Sequence, residues 1–278
     1  MYKERFKAIY AYRELLFALT GRDIRVRYKQ AAFGIAWAFF LPLLAVVSGV
    51  VIRIAMAKLR GQGLPPASEV SEVMVRSVLW LLFSGAVGGC AGALLANLGL
   101  VTKIYFPREV LPLSALLGKL FDFAISIVGV AIALVILVLA IGETDGAAPV
   151  LVFSWSWLLV PVFVGTIILM VAGLGFALST ANVFFRDVKY LIEVILRFGI
   201  FFSGVIIFVK DMPEMIGKVL MMNPLVPLME ATSSVIVRGA VEPHLWPWLA
   251  YSALVTVLLC MIGLASFQKG EHLFAEYA

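Results

Sequence analysis

The stretch VLPLSALLGKLFDFAISIVGVAIALVILVLAI, from Val110 to Ile141, holds only two charged side chains, Lys119 and Asp122. A hydrocarbon core of about 30 Å takes roughly 20 apolar residues of helix to cross, and this stretch is longer than that. Lipid offers no partner for a free backbone amide, so a segment of this composition crosses as a helix. Working outward, the same reading applies to Phe33 to Ile52 and Val73 to Ala96 before it, and to Trp157 to Ala181, Val194 to Val209 and Trp248 to Phe267 after it. The expected fold is an all-α integral membrane protein with six transmembrane helices.

Six spans and their joints take up nearly all of the 278 residues, which are 63% hydrophobic and 14% charged, so no room is expected for a separate soluble catalytic domain. The expected plan is one membrane domain over 32–267, a cytoplasmic interfacial helix over 1–31 and a cytoplasmic tail over 268–278. A net charge of +5 would suggest nucleic acid in a soluble chain. Here the basic residues stand where a membrane protein places them, and no nucleic-acid partner is expected. Lys3, Arg5, Lys7, Arg13, Arg22, Arg25, Arg27 and Lys29 precede the first span, which puts the N-terminus in the cytoplasm. Six spans return the C-terminus to the same side. The joint from Gly142 to Ser156, on the outer side in this orientation, has no basic residue. The other outer joints are less tidy, with Arg53, Lys58 and Arg60 in one and Lys210, Lys218 and Arg238 in another. The N-terminal segment is not read as a signal peptide, because some thirty polar and amphipathic residues precede an apolar run of full spanning length.

Phe6, Ile9, Tyr10, Leu15, Leu16 and Leu19 recur near helical spacing among charges. A helix lying in the membrane surface is expected there, in contact with membrane lipids; the alternative is that Arg22 to Lys29 serve only topology. Thr20 or Asp23 would cap a second turn leading into the first span. In the second span Gly85 with Gly89, and Gly88 with Gly92, form overlapping GxxxG patterns that imply close helix approach. Between the fifth and sixth spans, Ile216 to Met222 and Leu225 to Val237 are each too short to cross and are separated by Asn223-Pro224. They read as a re-entrant helical hairpin. Glu230, in the second piece, is either a functional carboxylate or a solvated residue at the hairpin mouth. Lys119 with Asp122, and Glu193 with Arg197, are spaced to pair on one helical face, and Arg76 is placed to snorkel to the outer interface.

Enzyme chemistry has no visible constellation. His244 and His272 lie in an outer joint and near the C-terminus, so no metal site and no catalytic residue is expected. Cys90 and Cys260 read as small buried side chains. Gly118-Lys119 and Gly217-Lys218 lack the upstream Gly and following Ser or Thr of a phosphate loop. If transport is driven by ATP, the ATPase is another polypeptide.

Four stretches in order make the joints specific. They are Arg22-Asp-Ile-Arg-Val-Arg-Tyr-Lys-Gln30 with Gly34-Ile-Ala-Trp37 and Pro42; Lys103-Ile-Tyr-Phe-Pro-Arg-Glu-Val-Leu-Pro112; Asn182-Val-Phe-Phe-Arg-Asp187; and Asn223-Pro-Leu-Val-Pro227. On these the chain resembles, over essentially its full length, the permease subunits of type-2 ABC exporters, in particular those moving lipid-linked polysaccharides of the O-antigen, capsule or teichoic acid type. The resemblance implies an inner-membrane complex of two permeases with two ATPase subunits, ATP and Mg being held by the ATPases. It makes Leu98 to Arg108 the coupling element, with Lys103, Tyr105, Phe106, Arg108 and Glu109 at the docking surface and Arg186 and Asp187 adding a second contact. It puts Arg22, Arg25 and Arg27 at the substrate entrance and Asn223, Pro224 and Glu230 at an outer gate. Trp37, Phe40, Phe198, Phe201 and Phe202 are candidates to line a sugar path, the alternative being aromatics that face lipid or pack. Two rival classes remain, an ABC exporter of drugs or small lipids on the same fold and an ion-coupled carrier or channel. Few intramembrane acids and no visible internal repeat disfavour the second.

Overall fold

The computed structural model describes residues 7, 9–29, 36–61, 63–101, 103–141, 151–185, 187–271 and 274. Among them all regular secondary structure is helical, the α-helices being α1 (Arg13–Lys29), α2 (Ala36–Leu59), α3 (Ala67–Ala96), α4 (Leu98–Val101), α5 (Val110–Ile141), α6 (Val160–Phe184), α7 (Val188–Gly199), α8 (Glu214–Met221), α9 (Leu225–Arg238) and α10 (Trp246–Gly270). Five of these, α2, α3, α5, α6 and α10, are long and apolar enough to cross a membrane. They correspond to five of the six stretches read from the sequence. Because α1 packs on the first half of α5, its end of the bundle is called proximal and the opposite end distal.

α3 is the central helix. It packs on α2, α5, α6 and α9, and most side chains between Ser71 and Leu82 are buried. Its glycines do not make the tightest approach. The stem of Lys119 lies over Gly85 and Gly89, Leu196 faces Gly88, and the space beside Gly92 is open. Backbone-to-backbone contact occurs where α6 crosses α10, with Gly173 and Gly263 at the crossing. A Cβ on Gly173 would lie 2.7 Å from the Cys260 amide nitrogen, and one on Gly263 would strike the Gly173 carbonyl. Small residues at a crossing allow this approach, and no four-residue spacing advertises it because each helix contributes one glycine.

The expected fifth span, Val194 to Val209, is not a continuous helix. α7 starts earlier, at Val188, and after Gly199 the chain tightens into a 3-10 turn, Ile200–Phe202. From Ser203 to Phe208 it is irregular, and Gly204 has φ +77°. Irregular backbone at membrane depth is tolerated only where protein covers it, and Ser203, Val205, Ile206 and Phe208 are buried. The Trp80 ring fills the space beside Gly199, where a Cβ would come within 2.7 Å of Cη2. The carbonyls left open by the break have side-chain donors: Asn223 Nδ2 donates to Phe202 O (3.3 Å) and Arg76 Nη1 to Gly204 O (3.0 Å).

α8 and α9 match the two short pieces of the expected hairpin and meet at 100°. Both ends of the pair are tied to the distal end. Before α8, Asp211 is ion-paired with Arg53 of α2 and with Arg60 (3.3 Å), and Lys210 with Glu69 of α3 (2.7 Å). In the last turn of α9, Arg238 pairs with Glu72 of α3 (2.6 Å), and Val152 donates its amide to the Ile236 carbonyl. The tip reaches inward, where Tyr251 of α10 donates to the Met222 carbonyl (3.0 Å). The pair is therefore re-entrant, and the remaining crossing is Val188 to Phe208, helical for its first two thirds.

The two kinds of glycine separate experimentally. Gly263→Ala introduces a clash that costs about 1–3 kcal/mol, so it should lower the melting temperature of the detergent-solubilised protein. Gly92→Ala, with open space and better helix propensity, should leave that temperature unchanged or raise it.

Candidate functional site

At the proximal end α1 lies as a strap across α3 and α5. Leu19 is buried against the cluster of Val110, Leu111 and Phe267. Thr20 Oγ1 donates to Leu16 O (2.8 Å) and reaches the Ser114 carbonyl (3.4 Å). α1 continues unbroken through Thr20 and Asp23, so neither caps a second turn. Arg22 donates to Asp23 and to Asn97 Oδ1 (2.6 Å) at the end of α3. Tyr28 donates to Asp122 Oδ1 (2.7 Å), while Oδ2 takes Arg27 and Lys119 (3.2 Å). Burial and the Asp122 carboxylate push the Tyr28 phenol up to about 12. Arg25 is exposed.

Under the strap is a cavity of about 610 Å³ with Arg22, Arg27 and Lys119 on its rim and Gly88, Gly89, Gly92 and Ala93 as its floor. A second, of about 400 Å³, opens across Gly88 and Gly92 toward Asn182, Lys189 and Glu193. The glycine stripe thus floors cavities, a use the sequence spacing did not disclose. Lys119 and Asp122 pair as their spacing predicts, but Asp122 also anchors α1. Glu193 and Arg197 are exposed and make no ion pair among the described residues.

The joint between α3 and α5 divides the expected docking residues. Lys103, Ile104 and Tyr105 form an exposed tip, with Tyr105 96% exposed. Phe106 and Glu109 are buried and are not part of that surface. Arg108 donates to the Glu271 carbonyl and stands 5.7 Å from the Phe274 ring centroid, which braces the joint to the end of α10. Its guanidinium serves the fold before it serves a partner. Asp187 is exposed before α7, and Arg186 lies outside the described residues.

Phe40, Phe198, Phe201 and Phe202 are all exposed; the side chain of Trp37 is outside the described set. α7 buries only Ile192 of its twelve residues, so this crossing presents an open aromatic and aliphatic face. At the distal end Asn223 accepts the Leu225 amide (3.1 Å) and starts α9, and Pro224 is half-buried. Glu230 is not solvated at a mouth: its side chain is 14% exposed and faces Arg76 at 3.9 Å. Arg76 does not snorkel. It is 2% exposed, held by Glu72 (3.2 Å), Ser233 (2.8 Å) and Gly204. An unpaired Arg at membrane depth costs about 2.5–3.5 kcal/mol on insertion scales, and these acceptors replace water. In the sequence only its four-residue spacing from Glu72 hinted at this. Asp211 lies just outside the crossing. Burial alone would raise its carboxyl, but hydrogen bonds and charge from Arg53 and Arg60 hold it below the ordinary carboxylate range.

A bundle with a strap helix over a cation-rimmed cavity at one end and a re-entrant pair at the other has the plan of a multi-pass membrane protein. The profile of the ABC-2 type transporter family matches residues 14–237, and the chain belongs to that family. It is 28% identical over 272 residues to the O-antigen export system permease protein RfbA of Myxococcus xanthus, covering 97% of each chain. It is 26% identical to the protein of that name from Klebsiella pneumoniae, over 95% of this chain and 94% of the relative. The capsule polysaccharide export inner-membrane protein CtrC of Neisseria meningitidis serogroup A is 23% identical over 93% of this chain and 92% of its own. The family expected from the four stretches is the one found.

Asp122→Asn removes the charge that Arg27, Tyr28 and Lys119 share. Losing a hydrogen bond to a charged group weakens the strap enough to raise amide exchange over Ile24 to Lys29 by about tenfold. The Tyr28 phenol should fall part of the way back toward about 10, which ultraviolet titration reads.

Proposed function

We propose that this chain is the membrane-spanning subunit of an ATP-driven exporter of a lipid-linked polysaccharide, of the O-antigen, capsule or teichoic acid type, in the cytoplasmic (inner) membrane. The observation that carries the reading is the end-to-end likeness to permeases named for polysaccharide export, with 97% of both chains covered in the Myxococcus comparison. In this reading the proximal end is cytoplasmic, with both termini there, and the distal end faces outward. The basic N-terminal block, which includes Arg22, Arg25 and Arg27, supports that orientation.

ATP and Mg belong to a separate ATPase subunit, present in two copies. The exposed tip at Lys103 to Tyr105 has the access a docking element needs, and Asp187 offers a second contact. A second copy of this chain completes the path. The open face of α7, with Phe198, Phe201 and Phe202, together with Phe40 of α2, supports that placement, since a face exposing so many large apolar groups is suited to another surface as well as to lipid. Sugar rings would pass between the copies against aromatic faces, entering beneath α1 and leaving past Asn223, Pro224 and Glu230.

The test is copurification with a companion ATPase, followed by reconstitution and measurement of ATP-dependent movement of a lipid-linked glycan. Export of a drug-like compound without glycan movement would overturn the substrate class. Reversing charge at Lys103 should abolish substrate-stimulated ATP hydrolysis while the permease stays inserted. Arg108→Glu should also lower the melting temperature, because it breaks the brace to Glu271 and Phe274. For topology, a cysteine introduced near Asp145 should react with an impermeant thiol reagent outside intact cells, and one near Lys189 should not.

A further inference from the structure

Four elements of the distal half meet around two buried arginines and one ring. Arg76 of α3 donates to Ser233 of α9 through Nε (2.8 Å) and to the Gly204 carbonyl of the broken crossing (3.0 Å). It pairs with Glu72 (3.2 Å) and more loosely with Glu230 of α9 (3.9 Å). The Phe208 ring, 1% exposed, has the Arg76 guanidinium 4.4 Å from its centroid and that of Arg53 at 4.3 Å. Arg53 belongs to α2 and is tied to Glu69 and Asp211.

These contacts are unequal in a way that matters for motion. Glu72 lies one turn from Arg76 on the same helix, so the pair travels together and the guanidinium keeps a counter-charge whatever the hairpin does. Ser233, Glu230 and Arg238, which pairs with Glu72 at 2.6 Å, belong to the hairpin, and their contacts with α3 would be lost if it swung outward. Glu230 is the looser partner, and its Oε2 is buried without a hydrogen-bond donor among the described residues. A buried acceptor left without a donor costs free energy that hydration restores. Of the polar holds between the hairpin and α3, Glu230 is the weak one, while on opening Arg76 keeps Glu72 and Arg238 keeps Glu242, so no cation is stranded. That is the property a reversible two-position contact needs.

We propose that Arg76 is a positioning residue, the pin of a clasp that holds the re-entrant hairpin against the broken crossing and keeps the distal end of the path closed between transport cycles. The clasp rests on reading that end as the exit. Its occupants are this chain's own residues: Ser233 and Glu230 on the moving side, Gly204 and Phe208 on the crossing, Glu72 as the constant partner.

The experiment uses the complete transporter, permease with its ATPase, reconstituted into vesicles loaded with a small anionic fluorophore, without nucleotide or glycan. The wild type should be tight and Arg76→Met should leak. Arg76→Lys, which keeps the charge but not the forked donors, should leak less. Ser233→Ala removes one hydrogen bond to a charged group and should raise the leak about tenfold. Leu228→Ala, a buried apolar truncation on the same helix, should lower thermal stability without a leak. An assembled Arg76→Met transporter as tight as wild type, or a Leu228→Ala leak equal to that of Ser233→Ala, would overturn the clasp. If Arg76→Met does not assemble, a tight Ser233→Ala overturns it and a leaky one supports it. Because the leak needs no substrate, a wild type that exports no glycan would count against the proposed function and leave this comparison intact.

Discussion

Two carbonyls organise the distal half of this protein. Where the fifth crossing stops being a helix, Phe202 and Gly204 lose their helical partners in a region with no bulk water. Backbone groups in that position must be satisfied from within the protein. The hairpin tip supplies Asn223 and α3 supplies Arg76. Each donor then makes demands of its own. Asn223 stands between α8 and α9 and receives the Leu225 amide, so meeting the first carbonyl fixes where the hairpin turns. Arg76 is a buried cation and requires acceptors; Glu72, one turn away on α3, is one, and Glu230 and Ser233 bring α9 to it.

The same constraint explains why the acids and bases are segregated. At the distal end they are nearly all paired: Arg53 with Glu69 and Asp211, Arg238 with Glu72 and Glu242. Removing one member of a buried pair costs about 3–5 kcal/mol because the survivor is left uncompensated; that applies to Arg53 with Glu69 and Asp211, whereas the half-exposed Arg238–Glu242 pair is screened by solvent. At the proximal end the cations Arg22, Arg27 and Lys119 surround open volume. There Asp23 and Asp122 neutralise only part of the charge, and Arg25 is left to solvent. The distal charges are thus matched with one another, whereas the proximal cations border open volume.

Mechanical continuity runs down the bundle in short steps. The exposed tip at Tyr105 is joined through Arg108 to the end of α10. α10 is locked to α6 at the glycine crossing of Gly173 and Gly263, and α6 to α3 where Gly175 meets Cys90. The exposed tip is thus joined by continuous packing to α3, whose distal part carries Glu72 and Arg76.

The sequence alone determined the solvent and the class. Runs such as Val110 to Ile141 have no stable fate except as helices in lipid, and their number and spacing read as six crossings, of which five are continuous helices. Asn223-Pro224 between two short apolar pieces was enough for the hairpin, because each piece is too short to cross and proline cannot continue a helix. The quoted joints were enough for the family. Only the tertiary structure decided which charges meet and which glycines touch. Arg76 and Glu230 are more than 150 residues apart, so no local periodicity links them, and an arginine near a predicted span edge reads as a snorkelling one until a buried carboxylate is placed beside it. The break after Phe202 was hidden for the same reason: the apolar run continues to Val209, and what halts the helix is the Trp80 ring against Gly199 and two donors from elsewhere in the chain, none of which hydropathy can record.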